Sequence, residues 1–335
     1  MTNTPIGKTI ALCALVLATG AWGVRGHQSA NRAAVKSIPP DGPVFLKDYE
    51  DWIAKTGPVP DSWRGNAEPY SKIFEDPNHG WFKEQFAFMR EIPRSRYEFV
   101  LRLYDEYLKI KDKDPERAAL TNVRWTGTLP YAAMENYDRM KAAMRLYRRV
   151  SPEDAKYLAQ DIAFYMGWLG HYTADGAQPL HDTIHHDGWV GANPKGYTTD
   201  PRVHGRFESQ FVDLIELTDT DLTPLMEKPK LLSDPFAATL AHLDDAAAHV
   251  EDVYILDKAG ALADKSNDPA SKLVKSQLAK AAALLRDLTY TAWVESAKPA
   301  AAGGADSNPI SRTNPRYNPE TGSAPPGAPA KRGGQ

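Results

Sequence analysis

The middle of the chain carries apolar residues at helical intervals. Leu158, Ile162, Tyr165, Leu169 and Tyr172 are spaced three or four residues apart, which places side chains on one face of an α-helix. The same spacing returns between residues 274 and 292. No alternation of apolar and polar residues is long enough to indicate a β-strand. The pattern predicts an all-α fold, a single multi-helix domain over residues 22–298.

Helix starts are marked by two polar residues that precede a proline. Ser151 stands before Pro152 and Asp268 before Pro269, the arrangement of an N-cap followed by proline in the first turn. The Gly-rich segment 187–197 predicts a surface loop beside the candidate site. Further helices are predicted over residues 23–37, 44–55, 79–90, 94–112, 131–149, 199–217 and 235–258.

Composition narrows the class of protein without indicating a partner. The chain has 335 residues, with 40 Lys and Arg against 43 Asp and Glu and a formal net charge of -3. This excludes a disordered, collagen-like or multi-span membrane protein. A phosphate-bearing substrate has to be held by local groups, since no general charge attracts it. Cys13 is the only cysteine, so packing or a metal, not a disulfide, must stabilise residues 22–298.

The two ends of the chain differ from the middle. Residues 1–21 combine Lys8, a short apolar run and small residues up to Ala21, which predicts a signal peptide and a secreted or periplasmic protein. Alternatives are a lipoprotein, which Leu12 before Cys13 disfavours, and an uncleaved anchor. Residues 299–335 are rich in Ala, Gly and Pro and are predicted to be a disordered tail. Cleavage after Ala21 would make Trp22 a terminus whose amine and carbonyl can bind a metal.

Candidate metal ligands are concentrated in residues 171–208. His171 and Asp175 are four residues apart, as are His204 and Glu208, so each pair projects from one helix face. His181 adds an imidazole between them. A single histidine is more often an ordinary core or surface residue, but this group of imidazoles and carboxylates suits zinc.

The remaining histidines allow other interpretations. His185, His186 and Asp187 are compatible with a histidine-aspartate phosphohydrolase, which the predicted signal peptide disfavours. His242 and His249 are seven residues apart, and a solvated helix surface is the preferred interpretation for both.

Three segments together resemble a known superfamily. They are Trp22-Gly-Val-Arg-Gly-His27, Leu169-Gly-His171-Tyr-Thr-Ala-Asp175-Gly-Ala-Gln-Pro-Leu-His181 and His204-Gly-Arg-Phe-Glu208. In order and spacing they resemble the superfamily of zinc-dependent single-strand nucleases of fungi and plants and bacterial zinc phospholipases C. The resemblance extends over residues 22–295, and its middle motif is highly specific. It implies a mainly helical fold with three zinc ions in one cleft.

The resemblance also implies a ligand set. Asp175 would bridge two ions, and Asp175 or Asp61 would orient the attacking oxygen during phosphate-ester hydrolysis. Asp76 competes with Asp61 as the upstream carboxylate. The implied ligands are Trp22, His27 and Asp175 for one zinc, Asp61, His79, His171 and Asp175 for the second, and His181, His204 and Glu208 for the third.

Two positions bear on the substrate. Glu208 is typical of the phospholipase branch, whereas the spacing from Trp22 to His27 is nuclease-like. Arg25 stands where phospholipases that recognise choline carry a glutamate, and a cation there would repel choline. Arg25 is equally well explained as a solvated helix residue.

The leading hypothesis is a secreted zinc-dependent nuclease acting on single-stranded DNA or RNA, with possible 3′-nucleotidase activity on nucleotides. Trp63, Trp81 and Tyr172 could stack on unpaired bases, although core packing explains such aromatics more often. The alternative is a phospholipase C-like enzyme with a phospholipid substrate, which would need an exposed apolar rim. A non-catalytic zinc-binding protein ranks last, because every ligand type is present. No stable protein partner is indicated.

Overall fold

The computed structural model describes residues 22–299, and the predicted signal peptide and nearly all of the predicted tail lie outside the described residues. The described part is mostly helical and contains no β-sheet, with one isolated antiparallel bridge between Trp81 and Gly127. The prediction of an all-α domain is therefore confirmed. In chain order the helices are α1 (Gly23–Lys36), α2 (Glu50–Thr56), α3 (Val59–Ser62), α4 (Pro69–Asn78), α5 (Arg96–Ile110), α6 (Pro115–Leu120), α7 (Val123–Thr126), α8 (Leu129–Tyr147), α9 (Pro152–Asp175), α10 (Val203–Gly205), α11 (Phe211–Leu214), α12 (Asp219–Leu222), α13 (Pro235–Ala247), α14 (Val250–Lys258) and α15 (Asp268–Ser296).

The centre of the fold is a bundle of four helices. A four-residue connection joins α8 to α9, so the two pack side by side as an antiparallel pair, and α15 packs against both of them and against α1. The shorter α2 lies on α1 and α9. Because α9 ends at Asp175, its carboxyl end brings the central motif to one end of this bundle.

Contacts of Asn31 with α2 and α9 set the distance between these helices and α1. Asn31 of α1 is buried and donates from Nδ2 to the carbonyl oxygens of Ile53 (3.0 Å) and Gly167 (3.2 Å). A Cβ added at Gly170 would lie 2.0 Å from the Asn31 Oδ1. The close approach of α1 to α9 therefore requires glycine at position 170, one residue before His171.

The helices with strong periodicity or clear caps lie close to their predicted positions. The prediction 23–37 corresponds to α1, 94–112 to α5 and 131–149 to α8, and 44–55 corresponds to a 3₁₀ turn (Val44–Tyr49) followed by α2. The hydroxyl of Ser151 accepts from the backbone N–H of Asp154, as an N-cap does. The loop predicted over 187–197 contains no helix.

The predicted helix over 79–90 is wrong. This segment contains only a 3₁₀ turn, Lys83–Phe86. The backbone N–H of Trp81 donates to the His181 carbonyl (2.9 Å), and that of Phe82 donates to the Thr126 carbonyl (2.8 Å). These bonds to distant segments take the place of helical bonds.

Two other predicted helices are interrupted. The prediction 235–258 is divided into α13 and α14 at Ala248 and His249. The prediction 199–217 begins late, at Val203, and includes a π-helical turn, Arg206–Gln210, between α10 and α11. The sequence patterns did not predict five helices of ten residues or fewer, namely α3, α4, α6, α7 and α12.

Within residues 22–299, no helix is both long and apolar enough to cross a membrane.

Candidate metal centre

Three groups of imidazoles and carboxylates lie at the end of the bundle, each with its possible ligand atoms within 4.8 Å of one another. They contain every side-chain ligand that the sequence analysis named. The first group is His27, His171 and Asp175, the second is Asp61, His79 and His171, and the third is His181, His204 and Glu208. The structure therefore holds three places where a metal ion could bind.

Asp175 lies at the centre of the first two groups. One carboxylate oxygen is 3.4 Å from the His27 Nε2. The other is 3.0 Å from the His79 Nδ1 and 3.2 Å from the His171 Nε2. A carboxylate that bridges two metal ions must lie between the histidines of two groups, and Asp175 has this position. His181 Nδ1 lies 3.7 Å from the same oxygen.

The third group is compact and lies beside the first two. The His204 Nε2 is 2.9 Å from a Glu208 oxygen and 3.1 Å from the His181 Nε2. Glu208 also accepts from the side-chain amide of Gln178 at 3.0 Å. Glu208 is fully buried, so its charge is held by these polar neighbours.

Backbone carbonyls fix the orientation of three histidines. The Nδ1 atoms of His171 and His204 lie 2.9 and 3.0 Å from the carbonyl oxygens of Gly57 and His186, and the Nδ1 of His181 contacts the carbonyl of His79. Each Nε2 is then left to face its group. Metal-binding histidines typically donate their second ring N–H in this way.

Several buried polar atoms of the three groups have no hydrogen-bond partner among the described residues. They include both ring nitrogens of His27, the Oδ1 atoms of Asp61 and Asp175, and the Oε1 of Glu208. Burying such atoms unpaired is costly. Bound cations would satisfy them, and nitrogen and oxygen donors without thiolate are a suitable set for zinc. The residues present therefore fit the implied metal.

Burial and charge move the pKa values of the imidazoles apart. Burial, with a contribution from nearby His171, lowers the pKa of His27 to about 3, so this ring is neutral and able to bind a cation. Burial also opposes the charged form of His171, but the carboxylates of Asp175 and Asp61 outweigh it and raise the pKa to about 9. Glu208 likewise raises the pKa of His204 to about 9 against the effect of burial. Without metal, two imidazoles hold protons that an incoming cation must displace.

Trp22 lies next to the first group. Its indole is buried, and Nε1 donates to the carbonyl of Ala174 at 2.6 Å. Its own carbonyl accepts from the Gly26 N–H at 3.1 Å. Ligation by its amine depends on cleavage after Ala21, which lies outside the described residues. That assignment stays a prediction.

His79 of the second group and all three members of the third group line a cleft of about 820 Å³, one side of which is basic. Arg64, Lys72 and Arg124 line it and surround Asp76. Asp76 lies 3.1 Å from the Lys72 Nζ and 3.5 Å from the Arg64 Nε, and it pairs with Arg124. Asp61, not Asp76, therefore groups with the histidines. Arg64 also lies 3.8 Å from an Asp61 oxygen, so the three cations outnumber the two carboxylates beside them by one, and this side of the cleft has a small excess of positive charge.

The aromatic residues named from the sequence do not offer open faces. Trp81 and Tyr172 are buried, and Trp63 is half-buried. Core packing, the alternative interpretation, is correct for the first two. Phe82 and Trp125 line the cleft instead.

Glu75 is a buried contributor that sequence reasoning missed. It accepts from the Tyr172 hydroxyl at 2.8 Å and lies 3.6 Å from the Nε2 of His79. Glu75 therefore places a carboxylate charge beside the ring whose other nitrogen faces Asp175. Glu75 and His79 are four residues apart, the same signal as in the two predicted pairs, but Pro77 and the wrongly predicted helix over 79–90 obscured it.

Asp182, which follows His181, was also missed. It is buried, and neither carboxylate oxygen has a partner among the described residues. Burial, together with the charge of Asp175, raises its pKa well above the ordinary value. It is not within any of the three groups.

The other histidines lie outside the three groups. His186 stacks on Phe82, with ring centroids 4.6 Å apart, and His185 stacks on Trp189 at 4.0 Å. His249 pairs with an exposed acid on the surface, as expected. His242 departs from its prediction, because its Nε2 lies 2.9 Å from the carbonyl of Thr173.

Arg25 lies on the surface, where it pairs with Asp213 at 2.8 Å. The interpretation as a solvated helix residue fits this position, and Arg25 is not among the residues that line the cleft.

Comparison with protein-family models, with curated proteins and with solved structures finds no match to this chain.

Proposed function

We propose that the chain is a zinc-dependent phosphodiesterase that hydrolyses single-stranded nucleic acid. The observation that carries the proposal is a set of three adjoining His/carboxylate groups, of which the third group and His79 of the second line a cleft with a basic side. Phosphate esters are the substrates that such a combination suits, because they are anionic and need charge stabilisation at several oxygens.

The side chains have separable roles in this proposal. His27, His79, His171, His181 and His204 would hold zinc together with the carboxylates of the three groups. When bound, zinc supplies Lewis acidity and lowers the pKa of coordinated water toward neutrality. Asp175 and Asp61 are the carboxylates of the first two groups and would orient the attacking oxygen.

The basic wall favours a polyanion as the substrate. Arg64 links the wall to the metal groups, since its NH1 atom is 3.8 Å from an Asp61 oxygen. Arg124 is more than half exposed and adjoins Trp125, whose ring is also partly open to solvent. A cation beside an aromatic face is the arrangement that holds a phosphate next to an unstacked base.

The experiment compares two histidine variants on three substrates. Exported protein is assayed on single-stranded DNA, RNA and phosphatidylcholine, and its zinc is counted by elemental analysis. His204→Asn should lose zinc and nearly all hydrolysis, whereas His249→Asn, a surface control, should lose neither. Full activity in His204→Asn would contradict the proposal.

A second pair of variants tests the substrate class. Arg124→Gln should weaken binding of single-stranded DNA and reduce its salt dependence, because one phosphate contact is lost. Arg117 is a matched control, with 53% of its side chain exposed against 56% for Arg124, and it does not line the cleft. Equal effects of Arg117→Gln and Arg124→Gln would argue against a nucleic-acid path along this wall.

A phospholipase C-like activity is the second candidate, and one observation favours it. The apolar residues Tyr70, Ile73 and Phe74 of α4 are exposed, on the helix that also carries Lys72 of the cleft wall. Hydrolysis of phosphatidylcholine but not of nucleic acid in the three-substrate assay would select this candidate.

A further inference from the structure

Helix α4 exposes its apolar side chains to solvent. The exposed fractions are 88% for Tyr70 and 69% for both Ile73 and Phe74. Their spacing of three and four residues places the three on one face of the helix. Large apolar side chains gathered on one exposed face mark an interaction surface more often than scattered ones do. We refer to Tyr70, Ile73 and Phe74 as the α4 face.

Polar contacts on the opposite side hold α4 in this orientation. Glu75 is buried and bonded to the Tyr172 hydroxyl. Asn78 is buried as well, and its Oδ1 accepts from the Thr128 hydroxyl at 3.0 Å. Rotating the helix to bury the apolar side chains would expose Glu75 and break these bonds. The exposure of the α4 face is therefore built into the fold.

Cations that line the cleft lie on α4 and next to it. Lys72 is on α4 itself, and Asp76 on the same helix pairs with Arg124 of α7. Arg64 precedes the helix and lines the same cleft. Glu68, at the amino end of α4, is exposed, but the acid nearest the cations, Asp76, is already paired with them. Exposed apolar side chains and cations of the cleft thus occur together on α4.

We propose that the α4 face docks on a phospholipid bilayer that contains anionic lipid. The apolar side chains would enter the boundary between headgroups and acyl chains, while Lys72, Arg64 and Arg124 meet lipid phosphates, which is how short basic amphipathic helices bind membranes. A stacking surface for bases would not use Ile73, which has no ring. Docking of this kind goes beyond the proposed function, because it does not require that lipid be hydrolysed.

The test is co-sedimentation with vesicles. Protein is mixed with vesicles of phosphatidylcholine alone, or of phosphatidylcholine with an equal share of phosphatidylglycerol, and the bound fraction is measured at two salt concentrations. The triple variant Tyr70→Ser, Ile73→Ser, Phe74→Ser should lower the partition coefficient about tenfold or more. Ile73→Ser alone provides the same test with a smaller expected loss if the triple variant does not fold.

A double variant controls for the removal of apolar surface as such. Leu146 and Leu231 are 53% and 51% exposed, and neither lines the cleft. Leu146→Ser with Leu231→Ser should leave binding unchanged. The wild type should also bind phosphatidylglycerol vesicles more tightly than neutral ones, and added salt should reduce the difference.

Several results would overturn the inference. No binding of wild type to either vesicle would do so, as would equal binding by the wild type and the triple variant. Loss of single-stranded DNA affinity in the triple variant, without vesicle binding by the wild type, would assign the α4 face to nucleic acid. A dimer in light scattering that the triple variant abolishes would assign it to self-association. Vesicle binding without hydrolysis of any phosphodiester would contradict the proposed function and support the docking surface.

Discussion

Replacing Gly170 with alanine tests whether the approach of α1 to α9 positions the first metal group. The added methyl would lie 2.0 Å from the Asn31 Oδ1 and 2.8 Å from a Leu285 methyl. Asn31 cannot yield without losing its bonds to two backbone carbonyls. The two helices must therefore separate, and the His27 ring, now stacked 4.4 Å from His171, moves with α1.

The expected cost follows from these contacts. Overpacking a close-packed interior costs about 1–3 kcal/mol, and two lost hydrogen bonds add about 1 kcal/mol each. Alanine in a helix returns about 0.5–1 kcal/mol relative to glycine. The net loss is about 2–4.5 kcal/mol, which corresponds to a fall in melting temperature of about 4–18 °C for a domain of this size.

Gly205 offers a matched control beside another candidate ligand. It follows His204 in the helical region, and a Cβ there meets nothing within 4 Å. Gly205→Ala should leave the melting temperature unchanged or slightly raised. Calorimetry and zinc analysis of both variants decide the matter. A Gly170→Ala protein that melts within about 2 °C of wild type and keeps its zinc would refute the reasoning.

Four further outcomes are expected. Chelation should lower the melting temperature and abolish hydrolysis together, and unchanged melting by calorimetry would count against a stabilising metal. Asp175→Ala should lose more zinc in elemental analysis than any single histidine variant, because it lies between two groups. Apparent zinc affinity in a competition titration should rise with pH up to about 9. Without metal, the pKa values of His171 and His204 are about 9, so below that pH a zinc ion must displace a proton from each ring. An affinity that does not change with pH would contradict this. A protein with one extra residue before Trp22 should bind one zinc fewer and be nearly inactive, which mass spectrometry of the exported form and an activity assay can check.

The proximity of two side-chain pairs could be predicted from the sequence. The pairs His171 with Asp175 and His204 with Glu208 are separated by one helical turn, so their proximity follows from helix geometry alone. The convergence of the two pairs does not follow from spacing, because it depends on how the bundle and the segment after α9 pack. Only the resemblance to a known superfamily indicated that His27 joins them.

The segment around His79 shows what local patterns could not supply. Apolar residues after position 79 suggested a helix, but the backbone N–H groups of Trp81 and Phe82 bond to carbonyls far along the chain. Pro77 made a helix in this segment hard to predict. In the structure it lies in the last turn of α4, which ends one residue later at Asn78. The structure of this segment depends on hydrogen bonds to residues far along the chain, which a local sequence pattern cannot predict.

The orientation of α4 follows from the site rather than from hydrophobicity. Periodicity places Tyr70, Ile73 and Phe74 on one face, and burial of that face would gain about 1.5–3 kcal/mol for each side chain. The helix instead buries Glu75, whose contacts lie with Tyr172 and His79. If His79 binds zinc as proposed, ligation would exceed the hydrophobic gain forgone, since a structural zinc contributes about 10–16 kcal/mol in small domains. The buried polar contacts of Glu75 and Asn78 thus orient a helix that ends one residue before a candidate metal ligand, and its apolar face stays exposed to solvent.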